Sequence, residues 1–159
     1  MTVLKKKPNL AALRNDTRGS VLVEAALIMP LVVLFIAGIA DYGVVLYQYH
    51  TLSTANGSAV RQLIVSRGFD NPYAGVLAQY NDWAPNLSVQ GDQITVSVEN
   101  SDGTLTACTD ETDPTCKILL DDAAGKQATV SIDYACATTF IPSMASPCPI
   151  QITASGMVE

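Results

Sequence analysis

The chain predicts an α+β fold: a long amino-terminal helix whose first half crosses a membrane, and a small carboxyl-terminal antiparallel sheet packed on the helix's outer half. Three features of its 159 residues predict this. Residues 21–40 form an almost uncharged apolar run, an apolar stripe at helical spacing continues to Leu63, and the period then shortens to that of β-strands. The organisation that follows is a basic leader over residues 1–19, a membrane-spanning half-helix over 20–43, and an outer α+β domain over 44–159. Hydrophobic residues make up 48% of the chain and charged ones 15%, which excludes a disordered, solvating polymer. The length excludes two independent enzyme domains.

The leader comes first. Lys5, Lys6, Lys7, Arg14 and Arg18 face only Asp16, so the first nineteen residues carry +4, and a net charge of −6 leaves −10 on the remaining 140. An acidic body of that kind repels phosphates, so no nucleic-acid partner is expected.

Residues 21–40 read VLVEAALIMPLVVLFIAGIA, with Glu24 as the single ionisable group. Twenty helical residues span about 30 Å, the thickness of a bilayer's hydrocarbon core. Twelve of them are Val, Leu, Ile or Phe, together worth about −4 to −7 kcal/mol for insertion. Glu24 lies near one end, where a charge costs least. Lys and Arg are retained on the cytoplasmic side, so the body is expected to face outward. A secretory signal sequence would have a shorter apolar region and a small-residue cleavage site, for which Asp41-Tyr42-Gly43 is a poor substitute.

Beyond the span, Val45, Tyr49, Leu52, Ala55, Ala59 and Leu63 recur every three or four residues, which extends one helix over about residues 20–66. Gly68 and Asn71-Pro72 stop it, Pro30 favours a kink, and Gly57 is a weak point. Asn71 then caps a short helix running through Tyr80, with Pro72 in its first turn. Residues 87–90, 94–98, 128–134 and 150–153 alternate or are rich in β-branched side chains, and read as strands. Residues 107–116 read as a polar surface loop, and Asp121-Asp122 as a solvated turn.

Cys108, Cys116, Cys136 and Cys148 all lie in the outward-facing part. Four cysteines allow three pairings. Cys108 with Cys116 and Cys136 with Cys148 are favoured, because each pair closes a short loop across turn-like residues, worth roughly 2.5 to 3 kcal/mol. Close C-x-x-C or Cys/His spacing is lacking, so no metal is expected. Phosphate-binding glycine loops, a G-x-S-x-G elbow and H-E-x-x-H are also missing, and the only histidine, His50, falls just beyond the span. A non-enzymatic protein with no catalytic residues and no cofactor is expected.

The run from Arg18-Gly19-Ser20 through Glu24 to Pro30 resembles the amino end of the TadE-like family, minor pilin-like proteins of the tight-adherence (Tad) branch of type IV pili. Gly38-Ile39-Ala40-Asp41-Tyr42-Gly43, Ala59-Val60-Arg61 and the closing segments 130–134 and 150–155 extend the likeness. The resemblance implies a pilin-like fold in the bacterial inner membrane, with the amino terminus cytoplasmic and the body periplasmic. It implies cleavage by a prepilin peptidase between Gly19 and Ser20, and pairing of the new Ser20 amine with Glu24 during assembly. Its partners would be other pilin-like subunits and the pilus assembly machinery. Major pilins of this branch carry a tyrosine after the glutamate, whereas Ala25 follows here, which points to a minor subunit. The reading from another class is a permanently anchored periplasmic binding or adhesin-like protein.

Overall fold

The computed structural model describes residues 17–110, 114–136 and 148–159, and the side chains of the first helix from Val21 onward. The elements are α1 (Thr17–Val65), α2 (Pro72–Trp83), a 3-10 turn (Gly91–Gln93), β1 (Ile94–Glu99), β2 (Leu105–Cys108), α3 (Thr115–Asp121), β3 (Gln127–Ala135) and β4 (Pro149–Met157). The fold class is α+β, with a four-stranded sheet in the order β2-β1-β3-β4. Every neighbouring pair of strands is antiparallel. The chain divides into two compact units, Met1–Ala40 and Asp41–Glu159.

In the second unit the sheet packs on the outer turns of α1. Leu52, Ala55, Ala59 and Leu63 are fully buried against Val96, Val98, Val130 and Ile132. The predicted stripe is corrected at one position: Tyr49 is exposed and Gln48 is buried in its place. Positions 48, 52, 55, 59 and 63 hold the spacing of four, three, four and four, which places residue 49 one helical step of about 100° off the packed face. Asn56, also fully buried on this stripe, donates from Nδ2 to the Val130 carbonyl at 3.3 Å and accepts from the Tyr80 hydroxyl at 2.5 Å. A buried amide is tolerated there because both ends are satisfied.

α1 closes where the sequence expects. Ser66 turns its amide and hydroxyl back on the Leu63 carbonyl, and Gly68 takes a φ of +80°, a left-handed conformation that favours glycine. The Gly68 amide donates to the Asp121 carboxylate at 2.8 Å, so the end of α3 holds the end of α1. α2 begins on Asn71, whose side chain accepts from the Ala74 amide at 3.0 Å, with Pro72 in the first turn. It runs three residues beyond Tyr80. The Tyr73 hydroxyl lies 2.6 Å from the Gly91 carbonyl and 3.0 Å from that of Ile94, tying α2 to the start of β1.

Three of the expected strands form, as β1, β3 and β4; residues 87–90 do not form one. Leu87 and Val89 are buried, but the Leu87 amide closes a turn on the Ala84 carbonyl and Ser88 has a φ of 47°, which no strand contains. Alternating burial is met there by the end of a turn and an irregular segment. The polar loop expected over residues 107–116 is also corrected. Residues 105–108 form the edge strand β2, and α3 begins at Thr115; residues 111–113 lie outside the described residues. An edge strand packs only one side chain in two, so Cys108 inside and Leu105 outside supply little periodic signal. Asp121 and Asp122 are both exposed, at the end of α3 and its cap.

Candidate functional site

The candidate site is the amino-terminal half of α1. From Val21 the helix presents bare apolar side chains, from Val32 at 42% exposure to Leu27 at 73%. One window of this helix has a mean hydropathy of 2.5 and none of it is buried, so α1 is long and apolar enough to cross a membrane. An exposed surface of this size, all round one helix, is stable only in a lipid or protein environment.

Gly19 and Ser20 lie within the first turn of α1, as Thr17 begins it; their side chains lie outside the described residues, as does all of the leader up to Asp16. Glu24 is exposed on the same helix. Residues four apart on a helix share one face, so positions 20 and 24 are neighbours along α1. The helix continues through Pro30. Leu31 follows at 57% exposure, and Phe35 at 69%.

Where the apolar run ends, the two sides of α1 diverge. Asp41 and Gln48 are buried, while Tyr42, Tyr47 and Tyr49 are 66%, 55% and 46% exposed. His50 is exposed and meets the Tyr49 ring edge-on at a centroid distance of 6.0 Å. Its backbone carbonyl accepts from the Thr54 hydroxyl at 3.0 Å, and neither ion pair of the described residues involves its ring.

The four cysteines are paired as Cys108–Cys116 and Cys136–Cys148, with Cα separations of 5.6 and 5.5 Å. No cysteine is free. The first pair ties β2 to α3, and both its sulfurs belong to the core. The second joins the end of β3 to the residue before β4, where the Cys136 amide also donates to the Cys148 carbonyl at 3.0 Å. Among the described residues no group of three or more His, Cys, Asp or Glu side chains is arranged to hold a metal ion.

Elsewhere in the outer unit the polar geometry is that of a surface. A cavity of about 340 Å³ beside α2 is lined by Tyr73, Leu77, Gly91, Asp92, Thr109 and Asp110. The Lys117 ammonium pairs with Asp70 at 2.6 Å; hydrogen bonding to Lys117 holds the Asp70 carboxyl below the usual carboxylate range and, in turn, raises the Lys117 ammonium. Asp102 is lowered by hydrogen bonds from the Thr104 hydroxyl and amide in the β1–β2 turn. These pairs shape loops. The features sequence reasoning missed are the Asn56–Tyr80 bond, which joins two helices and has no local signal, and the β2 edge, the second strand of a hairpin whose turn residues Ser101-Asp102-Gly103 are the one local sign of it.

Neither the curated proteins nor the solved structures contain a match to this chain. A family model does match, over the part of the molecule that carries the leader boundary, the bare apolar helix and its first packed turns: residues 19–61 are similar to the TadE-like protein family.

Proposed function

We propose that this protein is a minor, pilin-like structural subunit that starts in the inner membrane and serves the assembly or initiation of a Tad-type adhesive pilus. The observation that carries the reading is the TadE-like match over residues 19–61, which coincides with the exposed apolar helix and ends inside the turns that pack on the sheet. In this reading the leader is cytoplasmic, the unit Asp41–Glu159 is periplasmic, and the protein has no catalytic activity.

The same reading gives Gly19, Ser20 and Glu24 their roles. Cleavage between Gly19 and Ser20 by a prepilin peptidase removes the cluster that holds the chain to the cytoplasmic face and creates an amine at Ser20. Buried between neighbouring apolar helices, that amine and the Glu24 carboxylate would each be costly alone, and pairing offsets much of the cost. Glu24→Leu is therefore expected to insert at least as well as the native chain and to assemble poorly. Mass spectrometry of the membrane-extracted protein tests the cleavage: in piliated cells the mature chain should begin at Ser20, and a chain still beginning at Met1 overturns the processing.

The second reading, a permanently anchored periplasmic binding or adhesin-like protein, is favoured by the outer unit's being compact by itself and cross-linked by two disulfides. Gene deletion separates the two. Loss of surface fibres is expected from the first reading, and normal piliation with impaired attachment from the second.

A further inference from the structure

Among the described residues no further strand pairs with either edge of the sheet, and the two edges are complementary. In the order β2-β1-β3-β4, with every pair antiparallel, β2 and β4 lie at opposite edges and run in opposite directions. The hydrogen-bond parity of each edge can be read directly. The Cys136 amide donates to the Cys148 carbonyl and the Val158 amide to that of Lys126, so even-numbered residues of β4 bond towards β3. In an antiparallel ladder the alternate residues point the other way. Gln151, Thr153, Ser155 and Met157 therefore direct their N–H and C=O groups to the free edge. The Asn100 amide donates to the Thr104 carbonyl, which by the same parity turns Leu105 and Ala107 outward from β2.

All six of these residues are exposed. Neither strand contains a charge, on a unit that is otherwise strongly acidic. Natural edge strands are commonly protected by lysine, an internal proline or a bulge; β4 pairs in continuous register from Gln127 with Met157 to Ala135 with Pro149 and has none of these along its length after Pro149. The side chains add a second match. Leu105 lies opposite Glu99, and Gln127 opposite Met157, while the pairing of Val98 with Ala128 brings Glu99 beside Gln127. Leu105 and Met157 thus stand at the two ends of a single cross-strand row, on the outer sheet face, and each is 62% exposed.

We infer that a second copy of this chain adds its β2 to the free edge of β4, with Met157 opposite the second copy's Leu105 and Ser155 opposite its Ala107. Opposite strand directions make the pairing antiparallel, the outward parity of both edges supplies the ladder bonds, and the two exposed apolar side chains cover each other. A two-fold pairing of β4 with itself over its full length would set Met157 against Pro149, and in any register it leaves Leu105 bare. The β4–β2 contact is head-to-tail, and a sheet twist of about 20–25° per strand step turns each copy relative to the last, so the association is an open screw that leaves one edge free at each end. This inference stands on the sheet geometry and is independent of the pilus reading.

The test is directed cross-linking of the full chain in mild detergent. Opposed residues in an antiparallel pair lie about 5.5 Å apart between Cα atoms, within disulfide range. A mixture of the Ala107→Cys and Ser155→Cys proteins should give a cross-linked dimer at least tenfold above either protein alone. Met157→Lys, made in the Ser155→Cys protein, should remove that product. Leu105→Lys, made in the Ala107→Cys protein, should do the same, because Leu105 stands opposite Met157 in that register. Equal cross-linking of the mixture and of the single proteins, or a product unchanged by Met157→Lys, overturns the inference. Met157 and Leu105 are both exposed, so neither replacement is expected to disturb the fold, and loss of the product in either variant supports the inference.

Discussion

Asn56 and Tyr80 show how one pair of residues fixes the outer unit. Asn56 is fully buried and reaches both β3, through the Val130 carbonyl, and α2, through Tyr80. Tyr80→Phe leaves the Asn56 oxygen buried without its donor, and is expected to lower stability by about 1–3 kcal/mol in chemical denaturation. Burial also pushes the Tyr80 phenol well above the ordinary tyrosine value of 10.0, with Tyr73 adding to the rise. A group whose folded value lies above its unfolded value supports the fold fully below the unfolded value and loses that support as pH rises beyond it. Native stability should therefore decline above about pH 10, and the decline should be shallower in Tyr80→Phe; parallel profiles for the two proteins would contradict the assignment. Gly156 works at the same scale. A Cβ there would lie 3.0 Å from Val60 Cγ1 and 3.1 Å from Ile64 Cγ2, so any side chain at this position requires those two side chains to give way. Gly156→Val should cost roughly 1–3 kcal/mol or more by forcing the helix and strand apart, measurable as a lower denaturation midpoint.

At the scale of elements, the two least periodic pieces are fastened by covalent chemistry. β2 has four residues and α3 seven, each too short to be stable by itself, and the Cys108–Cys116 bond holds one to the other with both cysteines in the core. Replacing both by serine should lower stability by roughly 2.5 kcal/mol from loop entropy alone. Because α3 carries Asp121, the acceptor for the Gly68 amide, the same variant should raise hydrogen exchange at Gly68 and the end of α1. Unchanged exchange there would show that Asp121 is placed without the disulfide. The long elements behave otherwise: β1, β3 and the outer turns of α1 bury their alternating or striped residues almost completely, so their stability comes from packing that their own patterns specify.

For the whole molecule, the proposed placement rests on charge. Five basic residues precede the apolar run and Arg61 is the next to follow it, the asymmetry from which we propose a cytoplasmic leader. A reporter joined after Glu159 should be active only in its periplasmic form, and thiol labelling of the native protein should find no reactive cysteine. Cytoplasmic reporter activity would reverse the orientation, and with it the oxidising environment that the disulfides need.

The sequence by itself determined what depends on local pattern: the apolar helix and its charge asymmetry, the caps at Asn71 and Gly68, the alternation in β1, β3 and β4, and the boundary around Gly19 that resembles the TadE-like family. These are read from neighbouring residues because hydrophobic period and turn chemistry act within a few positions. Tertiary structure decided the rest. It made residues 87–90 the end of a turn and an irregular segment, although their alternation suits a strand, with Ser88 left-handed, and it exposed Tyr49 in favour of Gln48 by rotating the packed face one position. It recruited residues 105–108 to the sheet through pairing with β1, a partner that their own weak alternation does not announce. The physical reason is that which residue is buried depends on the surface it meets: for Gln48 and Leu87 that surface comes from segments distant in the chain, while β2 gains its place from β1 across the short turn at residues 100–104.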